Sequence, residues 1–322
     1  MIKRHIFKII VILAIIPCSC KKETNATIWI SVNTGMTANN SVHALAISGN
    51  SIFAGTDSGL YLSSNSGTTW TVLSTGLPLL KKEITSLAIS GSSIFAGTFS
   101  GVYFSANNGS AWIAMSTGLP NDEITSLTIS ESTIFAGTGG SGVYLSAING
   151  SSWSAANNGL PIDEISALAV SSNTIFAGTW DDGLYLSSTN GNRWATADSG
   201  FPANIIINSL AISGNSIFTG TQSGVYLSSN NGTTWTAVNT GLNNNTTVNT
   251  LAVNRNSIFA GSYTPNNIAT GVYLSSNNGN SWKAENAGLP SNTIVNCFAF
   301  DNTYAYAGTL NNGIYKRLLT DF

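Results

Sequence analysis

The stretch Ile94-Phe95-Ala96-Gly97-Thr98-Phe99-Ser100-Gly101-Val102-Tyr103-Phe104-Ser105-Ala106-Asn107-Asn108-Gly109-Ser110-Ala111-Trp112 decides the fold, because variants of it recur along the chain. The aromatic of its first block returns as Phe53, Phe95, Phe135, Phe176, Phe218, Phe259 and Tyr306, at separations of 42, 40, 41, 42, 41 and 47 residues. Periods in the low forties, rich in strand formers, indicate propeller blades. Outward from the quoted block, the second copy divides into four strand-like runs, Ile84–Ser90, Ser93–Thr98, Gly101–Ser105 and Trp112–Thr117. Gly, Asn and Ser clusters separate them, as hairpins require. The sequence therefore predicts an all-β fold, a seven-bladed β-propeller of four-stranded antiparallel blades, over residues 27–322.

The tryptophans predict how the ring closes. Trp29, Trp70, Trp112, Trp153, Trp194, Trp235 and Trp282 mark seven fourth strands, yet Trp29 precedes the first block and no Trp follows Gly313-Ile314-Tyr315. The N-terminal strand Ile28–Asn33 is thus expected to complete the last blade, which removes the open edge of the ring.

Composition narrows the function classes. The chain has 322 residues, 8% charged and 43% hydrophobic, with 32 Gly and a net charge of -2. This is not a disordered profile, and it offers no electrostatic pull toward nucleic acid. Solubility falls to Ser, Thr and Asn alternating with apolar residues, a surface suited to an extracytoplasmic protein.

Residues 1–19 read as a signal peptide: Lys3, Arg4 and Lys8 are its basic end and Ile9–Ile16 its apolar segment. That segment is too short to span a bilayer. The exit Pro17-Cys18-Ser19-Cys20 followed by Lys21-Lys22-Glu23 resembles a bacterial lipoprotein processing site, which implies lipidation at Cys20, residues 20–26 as a linker, and attachment to the outer membrane only through the lipid. Ser19 is a small residue before the cut, whereas Pro17 stands where Leu is usual. An ordinary secretory signal is the other reading. With Cys20 modified and Cys18 removed, Cys297 alone remains, so no intramolecular disulfide is expected. Its counterparts in other copies are Ala44, Ser86, Ser126, Ala167, Ser209 and Thr250, which marks Cys297 as a small buried residue and not a nucleophile.

The runs Ser63–Trp70, Ser105–Trp112, Ser228–Trp235 and Ser275–Trp282 follow Ser-x-Asn-x-Gly-x-x-Trp. They resemble the Asp-box of BNR-repeat propellers, with Asn in place of Asp. Ser146–Trp153 and Ser187–Trp194 are weaker versions, carrying Ile148 and Thr189 at the acidic position. The resemblance covers nearly all of the mature chain and extends to sialidases, sortilin-type receptors, xyloglucan-cleaving glycosidases and photosystem-assembly-factor-like propellers. It implies a structural hairpin between third and fourth strands, held by side-chain to backbone bonds, and says little about chemistry.

A sialidase resemblance would also imply an arginine triad, but Arg193, Arg255 and Arg317 do not occupy matching positions. A glycosidase needs two facing carboxylates. Asp57, Glu83, Asp122, Glu123, Asp163, Glu164, Asp181 and Asp182 all fall on loops of one rim and in the N-terminal half of the ring. Two readings stand: an acidic arc that binds a cation, a basic partner or a glycan, or solvated charges copied with Pro-x-Asp-Glu-Ile at Pro120–Ile124 and Pro161–Ile165.

Departures from the repeat point to binding residues. Trp180 lies outside the blade register, beside Asp181 and Asp182, where other copies have Asp57, Phe99, Gly139, Gln222, Tyr263 and Leu310. Flat aromatics beside polar groups stack on sugars or anchor partners, or simply fill space. The loop Ser262–Thr270 is lengthened, either as a binding element or as a tolerated insertion. His43, Thr85, Thr125, Ser166, Asn208, Asn249 and Asn296 form a polar ring expected to line a water-filled channel mouth. With no Cys, Asp or second His at ligand spacing from His43, no metal site is expected.

The sequence thus predicts a monomeric, non-catalytic exported module without cofactor, whose rim loops bind a glycan or protein partner. The candidate ligand-binding residues are Trp180, Asp181, Asp182, Phe99, Tyr263, Glu123 and Glu164. A glycoside hydrolase or lyase using rim carboxylates is the alternative.

Overall fold

A computed structural model describes residues 27–73, 76–77, 83–150, 152–264 and 269–322. The signal-peptide, lipidation and linker expectations for residues 1–26 lie outside these, as do residues 265–268 of the lengthened loop. The described strands form seven four-stranded antiparallel sheets. Six are consecutive: blade 1 (42–73), blade 2 (84–114), blade 3 (124–155), blade 4 (165–196), blade 5 (207–237) and blade 6 (247–284). Blade 7 takes Val295–Phe300, Tyr304–Thr309 and Ile314–Leu318 from the C-terminal end and Ile30–Ser31 from the N-terminal end, paired as Ile30 with Lys316 and Ser31 with Tyr315. The ring closes as the tryptophans predict, with a closing strand shorter than Ile28–Asn33.

The inner three strands of blade 2 match the sequence reading residue for residue, while the fourth contracts to Ile113–Ala114. Most fourth strands are two exposed residues long. They are the outer edge of each blade, and a very short edge gives another chain little to pair with.

The core lies between blades. Phe53, Phe95, Phe135, Phe176, Phe218 and Tyr306 are fully buried, and Phe259 is 1% exposed. Each packs against the following blade: Phe176 of blade 4, for example, meets Ile207, Ile217 and Trp235 of blade 5. Burying such a side chain contributes about 1.5–3 kcal/mol, so each interface holds through a few large residues.

Trp and Gly stitch these interfaces. The indole N–H of Trp70, Trp153, Trp194, Trp235, Trp282 and Trp29 donates to a carbonyl of the preceding blade at 2.7–2.8 Å: Val32, Met115, Ala156, Ala197, Val238 and Glu285, respectively. Trp112 differs, donating to Gly109 in its own turn at 3.1 Å. Against each Trp backbone sits a glycine of the preceding blade, Gly35, Gly76, Gly118, Gly159, Gly200, Gly241 or Gly288, with φ between +86° and +102°. A Cβ there would lie 2.1–2.4 Å from the Trp carbonyl oxygen, so both the left-handed backbone and the approach demand glycine.

The hairpins before Trp70, Trp112, Trp235 and Trp282 are held as the motif implies. Ser63 Oγ accepts from Gly67 N–H at 2.9 Å, and Asn65 Oδ1 accepts from Thr69 N–H at 2.9 Å. The turns at Asn107, Asn230 and Asn277 repeat this pattern.

Cys297 is buried at the seam between blades 7 and 1, as expected, and burial pushes its thiol well above the usual range. A second lock crosses blades 6 and 7. Arg317, 5% exposed, pairs with Glu285 Oε2 at 2.9 Å and stacks on Phe322, whose ring packs against Trp29 and Phe259. Among the described residues no helix is long and apolar enough to cross a membrane.

Candidate functional site

The rim is built from two loops per blade, and the repeat fixes both. After the second strand, a buried Thr turns the chain: Thr56 Oγ1 donates to Gly59 O at 2.8 Å and accepts Ser58 N–H at 3.1 Å. Thr98, Thr138, Thr179, Thr221 and Thr309 do the same for their own hairpins. The residue after that Thr is therefore held on the rim, which is where Asp57, Phe99 and Trp180 stand. The second loop is the entry to the first strand, and the two are tied together: Trp180 N–H donates to Glu164 O at 3.2 Å, Gly139 N–H to Glu123 O at 3.0 Å, and Asp57 N–H to Ser41 O at 3.2 Å.

Blade 4 gathers four of the candidate residues. Trp180 is 46% exposed, and Ile162, two residues before Glu164, is 75% exposed. Asp181 and Asp182 line a groove of about 520 Å³ toward blade 5, together with Asp198 and Phe201. Phe201 stacks on Trp235 with ring centroids 5.0 Å apart. Phe99 and Tyr263 occupy the same hairpin position on blades 2 and 6, each with a whole blade between it and Trp180, and both are half-buried. The aromatic candidates are therefore spread around the rim and do not form one platform. Ile162 escaped the sequence reading because one aliphatic residue in a turn has no periodic signature.

The acidic arc is coupled across blades. Burial raises the Glu123 carboxyl above its ordinary range, and the charges of Glu83, Glu164 and Asp122 raise it further. Burial likewise raises Glu164, with Asp163, Asp181 and Asp122 adding to it. Three consecutive blades thus present carboxylates within one another's field. Asp122 and Asp163 cap their own turns, accepting Glu123 N–H at 2.9 Å and Glu164 N–H at 2.7 Å.

The polar ring, half-exposed in every blade, has a structural role that the sequence does not announce. Each of its seven residues is the extra residue of a β-bulge in a first strand, where the register with the second strand shifts. Such a bulge re-aims the side chain. In six blades it turns toward the first strand of the next blade. Thr85, Thr125 and Ser166 donate to Ile124, Ile165 and Ile207 carbonyls, and Asn208, Asn249 and Asn296 to those of Val248, Val295 and Val42 at 3.1–3.4 Å. These side chains sew the ring together.

His43 is the exception, and it corrects the expectation that no Asp stands at ligand distance from it. Its Nε2 lies 2.5 Å from Asp57 Oδ1 and 3.1 Å from Glu83 Oε1, with side-chain exposures of 24%, 48% and 31% for the three residues. The sequence carries no mark of this triad, because its members are far apart along the chain. Asp57 is 14 residues away on the next hairpin, and Glu83 enters from blade 2. Burial alone would raise the Asp57 carboxyl; hydrogen bonds with His43 and Ser41 and the charge of protonated His43 leave it below the ordinary range. Glu83 is raised by burial, with His43 opposing and Asp57 adding. Among the described residues, these are the group of three whose ligand atoms could meet on one ion.

The fold and rim place the chain in the propeller class, and the sequence matches the DUF6242 beta propeller domain over residues 51–179 and 181–310. The chain belongs to that family. No curated protein matches it by sequence. Among solved structures it is similar to the extracellular domain of BT4673 from B. thetaiotaomicron, at TM-score 0.73 and 19% identity over 90% of this chain and 39% of that one. It is also similar to YCF48 bound to D1 peptide, at TM-score 0.71 and 14% identity over 91% and 96%. The GH74 xyloglucanase from Xanthomonas campestris gives TM-score 0.72 and 16% identity over 91% and 54%. At these identities the likeness is one of fold. The chain spans well under two thirds of the BT4673 domain and of the xyloglucanase, but nearly all of YCF48.

Proposed function

We propose that the chain is a non-catalytic binding module whose rim, from blade 1 to blade 4, receives a protein partner carrying basic residues. The observation that carries this reading is the meeting on blade 4 of two exposed apolar side chains, Trp180 and Ile162, with Glu164, Asp181 and Asp182. A rigid indole supplies contact area at low entropic cost, and surrounding carboxylates select positive charge. Ile162 favours a protein over a glycan, since an aliphatic side chain has no flat face to offer a sugar ring. YCF48, of similar fold and comparable length, is seen bound to a peptide, a precedent for peptide capture by a lone propeller.

The test compares retention of partners from solubilised native membranes, and of glycans on an array, by the wild type and by the Trp180→Ala/Ile162→Ser double variant. Loss of a retained protein in the variant supports the reading. Unchanged retention overturns it, and retention of a polysaccharide alone moves the rim to glycan binding.

Glycoside hydrolysis is the second reading, favoured by Glu123. A carboxyl raised by burial and by acidic neighbours is suited to general acid work beside an ionised partner. Turnover of a polysaccharide that disappears in Glu123→Gln would establish it.

The four Ser-x-Asn-x-Gly-x-x-Trp turns support an Asp-box, BNR-type lineage for the blades. We also infer export and a lipid on Cys20, resting on the basic, apolar and Cys-containing order of residues 3–20. Cys20→Ser should move the protein from the membrane to the soluble fraction, and an unchanged membrane fraction would remove the anchor.

A further inference from the structure

We propose that His43, Asp57 and Glu83 form a binding site for a divalent ion of the Zn2+ type on the rim where blades 1 and 2 meet. Three observations lead there. The ligand set is one imidazole nitrogen and two carboxylate oxygens from different residues, and all three atoms lie within 4.8 Å of one another. Zn2+ bound to N and O donors at about 2.0–2.1 Å in tetrahedral geometry holds neighbouring donors roughly 3.3 Å apart. The pairs at 2.5 and 3.1 Å need only small side-chain adjustments to reach that spacing.

The second observation is the departure from the repeat. At the six equivalent bulges a Thr, Ser or Asn donates to the next blade, a role for which those residues suffice. Blade 1 gives up that seam bond and places an imidazole against one carboxylate of its own blade and one of the next. Asp57 occupies a hairpin position that differs in every copy, where the others carry Phe99, Gly139, Trp180, Gln222, Tyr263 and Leu310, and blade 1 has its carboxylate there. The one imidazole of the bulge series and the one carboxylate of the hairpin series thus meet in the same blade.

The third is the field around it. Glu83 is coupled to Glu123, and Glu123 to Glu164 and Asp122, while His43 is the one basic side chain among the described rim residues facing this cluster. Lys81 and Lys82 precede Glu83 and lie outside the described residues. The described groups of this cluster therefore attract a cation.

Chemically, the ion takes the position between Nε2 and the two carboxylates, and Nε2 must offer it a lone pair, as metal-bound imidazole does. Three protein ligands leave a position for water or for a donor group of a partner. An imidazole beside two carboxylates suits Zn2+ better than Ca2+, which takes six to eight oxygens.

The experiment is calorimetric titration of the tag-free protein with ZnCl2, and separately with CaCl2, in two buffers of different ionisation enthalpy to count released protons. His43→Asn is the decisive variant, because blades 5, 6 and 7 carry Asn at this position and fold with it; its thermal melt verifies folding. Asp57→Asn is the second. Control variants are Asp122→Asn and Glu164→Gln, which lie on the same arc outside the triad.

One Zn2+ per chain in the wild type, weakened about tenfold or more in both His43→Asn and Asp57→Asn and within about twofold in the controls, is the expected result. Absence of Zn2+ binding overturns the proposal. So does binding that survives in folded His43→Asn, which would show an ion held loosely by the arc, or Ca2+ binding tighter than Zn2+. The outcome is independent of partner capture, which is read on Trp180 and Ile162.

Discussion

Blades 3 and 1 meet their following neighbours in opposite ways. In blade 3 the bulge residue Thr125 reaches across and donates to the Ile165 carbonyl of blade 4. In blade 1 the same bulge carries His43, which gives up the seam and joins Asp57 and Glu83. The backbone irregularity is identical, and only the side chain decides whether it serves cohesion or a site. A repeated fold can place new chemistry at such a position at modest cost: this interface lacks both the bulge bond and the indole bond, since Trp112 donates within its own turn, and it is held by Gly76 against the Trp112 backbone and by Phe53 packed on Ile84, Ile94 and Trp112.

The largest expected effect comes from breaking cohesion where the ring closes. Residues 28–36 touch three blades: Trp29 bonds to Glu285 of blade 6, Ile30–Ser31 pair with blade 7, and Val32 and Thr34 accept from Trp70 of blade 1. Removing residues 27–36 should abolish the cooperative melt, and Trp29→Ala alone should cost about 3–5 kcal/mol in urea unfolding. His43→Asn should leave the same melt nearly unchanged. If the two variants lost equal stability, the division between seam and site would collapse.

Cohesion was legible in the sequence and the site only partly so, for one physical reason. The fold is specified seven times over, so Phe53 and its six counterparts, the Trp series and the hairpin turns reveal themselves by recurrence. The site is specified once. Trp180 stood out because a large aromatic broke the register, and the acidic residues stood out because they clustered along the chain. The triad did not, since its members come from a strand, a hairpin and the next blade's entry loop. The role of the polar ring also stayed hidden: a Thr or Asn at a strand start is equally consistent with facing water or a neighbour, and the bulge that re-aims it has no sequence mark.

Next in size is the charge lock at the closing interface. Glu285 carries Arg317 and Lys283 as partners. Burial opposes its ionisation, but the hydrogen bonds and charges of Lys283 and Arg317 hold its carboxyl below the ordinary range. A carboxyl depressed in the folded state contributes stability above its unfolded pKa and loses it as pH falls through the folded value. Melting temperature should therefore decline on acidification below about pH 4.5. Glu285→Gln should flatten that decline while costing about 3–5 kcal/mol at neutral pH, because Arg317 is left buried without a counter-charge. Of the rim acids, Asp57 is also lowered and adds to the decline, whereas Glu83, Glu123 and Glu164 are raised, so their ionisation disfavours the folded state and their protonation relieves it.

A smaller break lies within the seam itself. Gly118 has φ +88° and would place a Cβ 2.3 Å from the Trp153 carbonyl oxygen. Gly118→Ala should cost roughly 1–3 kcal/mol through strain at the blade 2 to blade 3 junction. Gly91, also at positive φ but with nothing near a built Cβ, is the matched control; its Ala variant should lose less, from the backbone alone. Equal losses would mean that the approach to Trp contributes nothing beyond conformation.

The finest comparison is between two imperfect turns. In blade 4, Thr189 replaces the Asn of the regular turn yet keeps its key contact, accepting Arg193 N–H at 2.9 Å. In blade 3, Ile148 cannot accept a hydrogen bond and packs against the cluster around Phe95 and Trp153, while Ser146 Oγ donates to Ser152 O at 2.8 Å. Thr189→Asn supplies a better-placed acceptor at little packing cost and should stabilise by about 0.5 kcal/mol. Ile148→Asn gains the same acceptor but exposes the apolar surface that Ile148 covers, so it should destabilise by about 1 kcal/mol. Opposite signs in urea unfolding are the expected outcome. Two gains would show that the Asn contact outweighs local packing, and two losses would show that each blade has settled into its own turn, so that the motif is no longer interchangeable between blades.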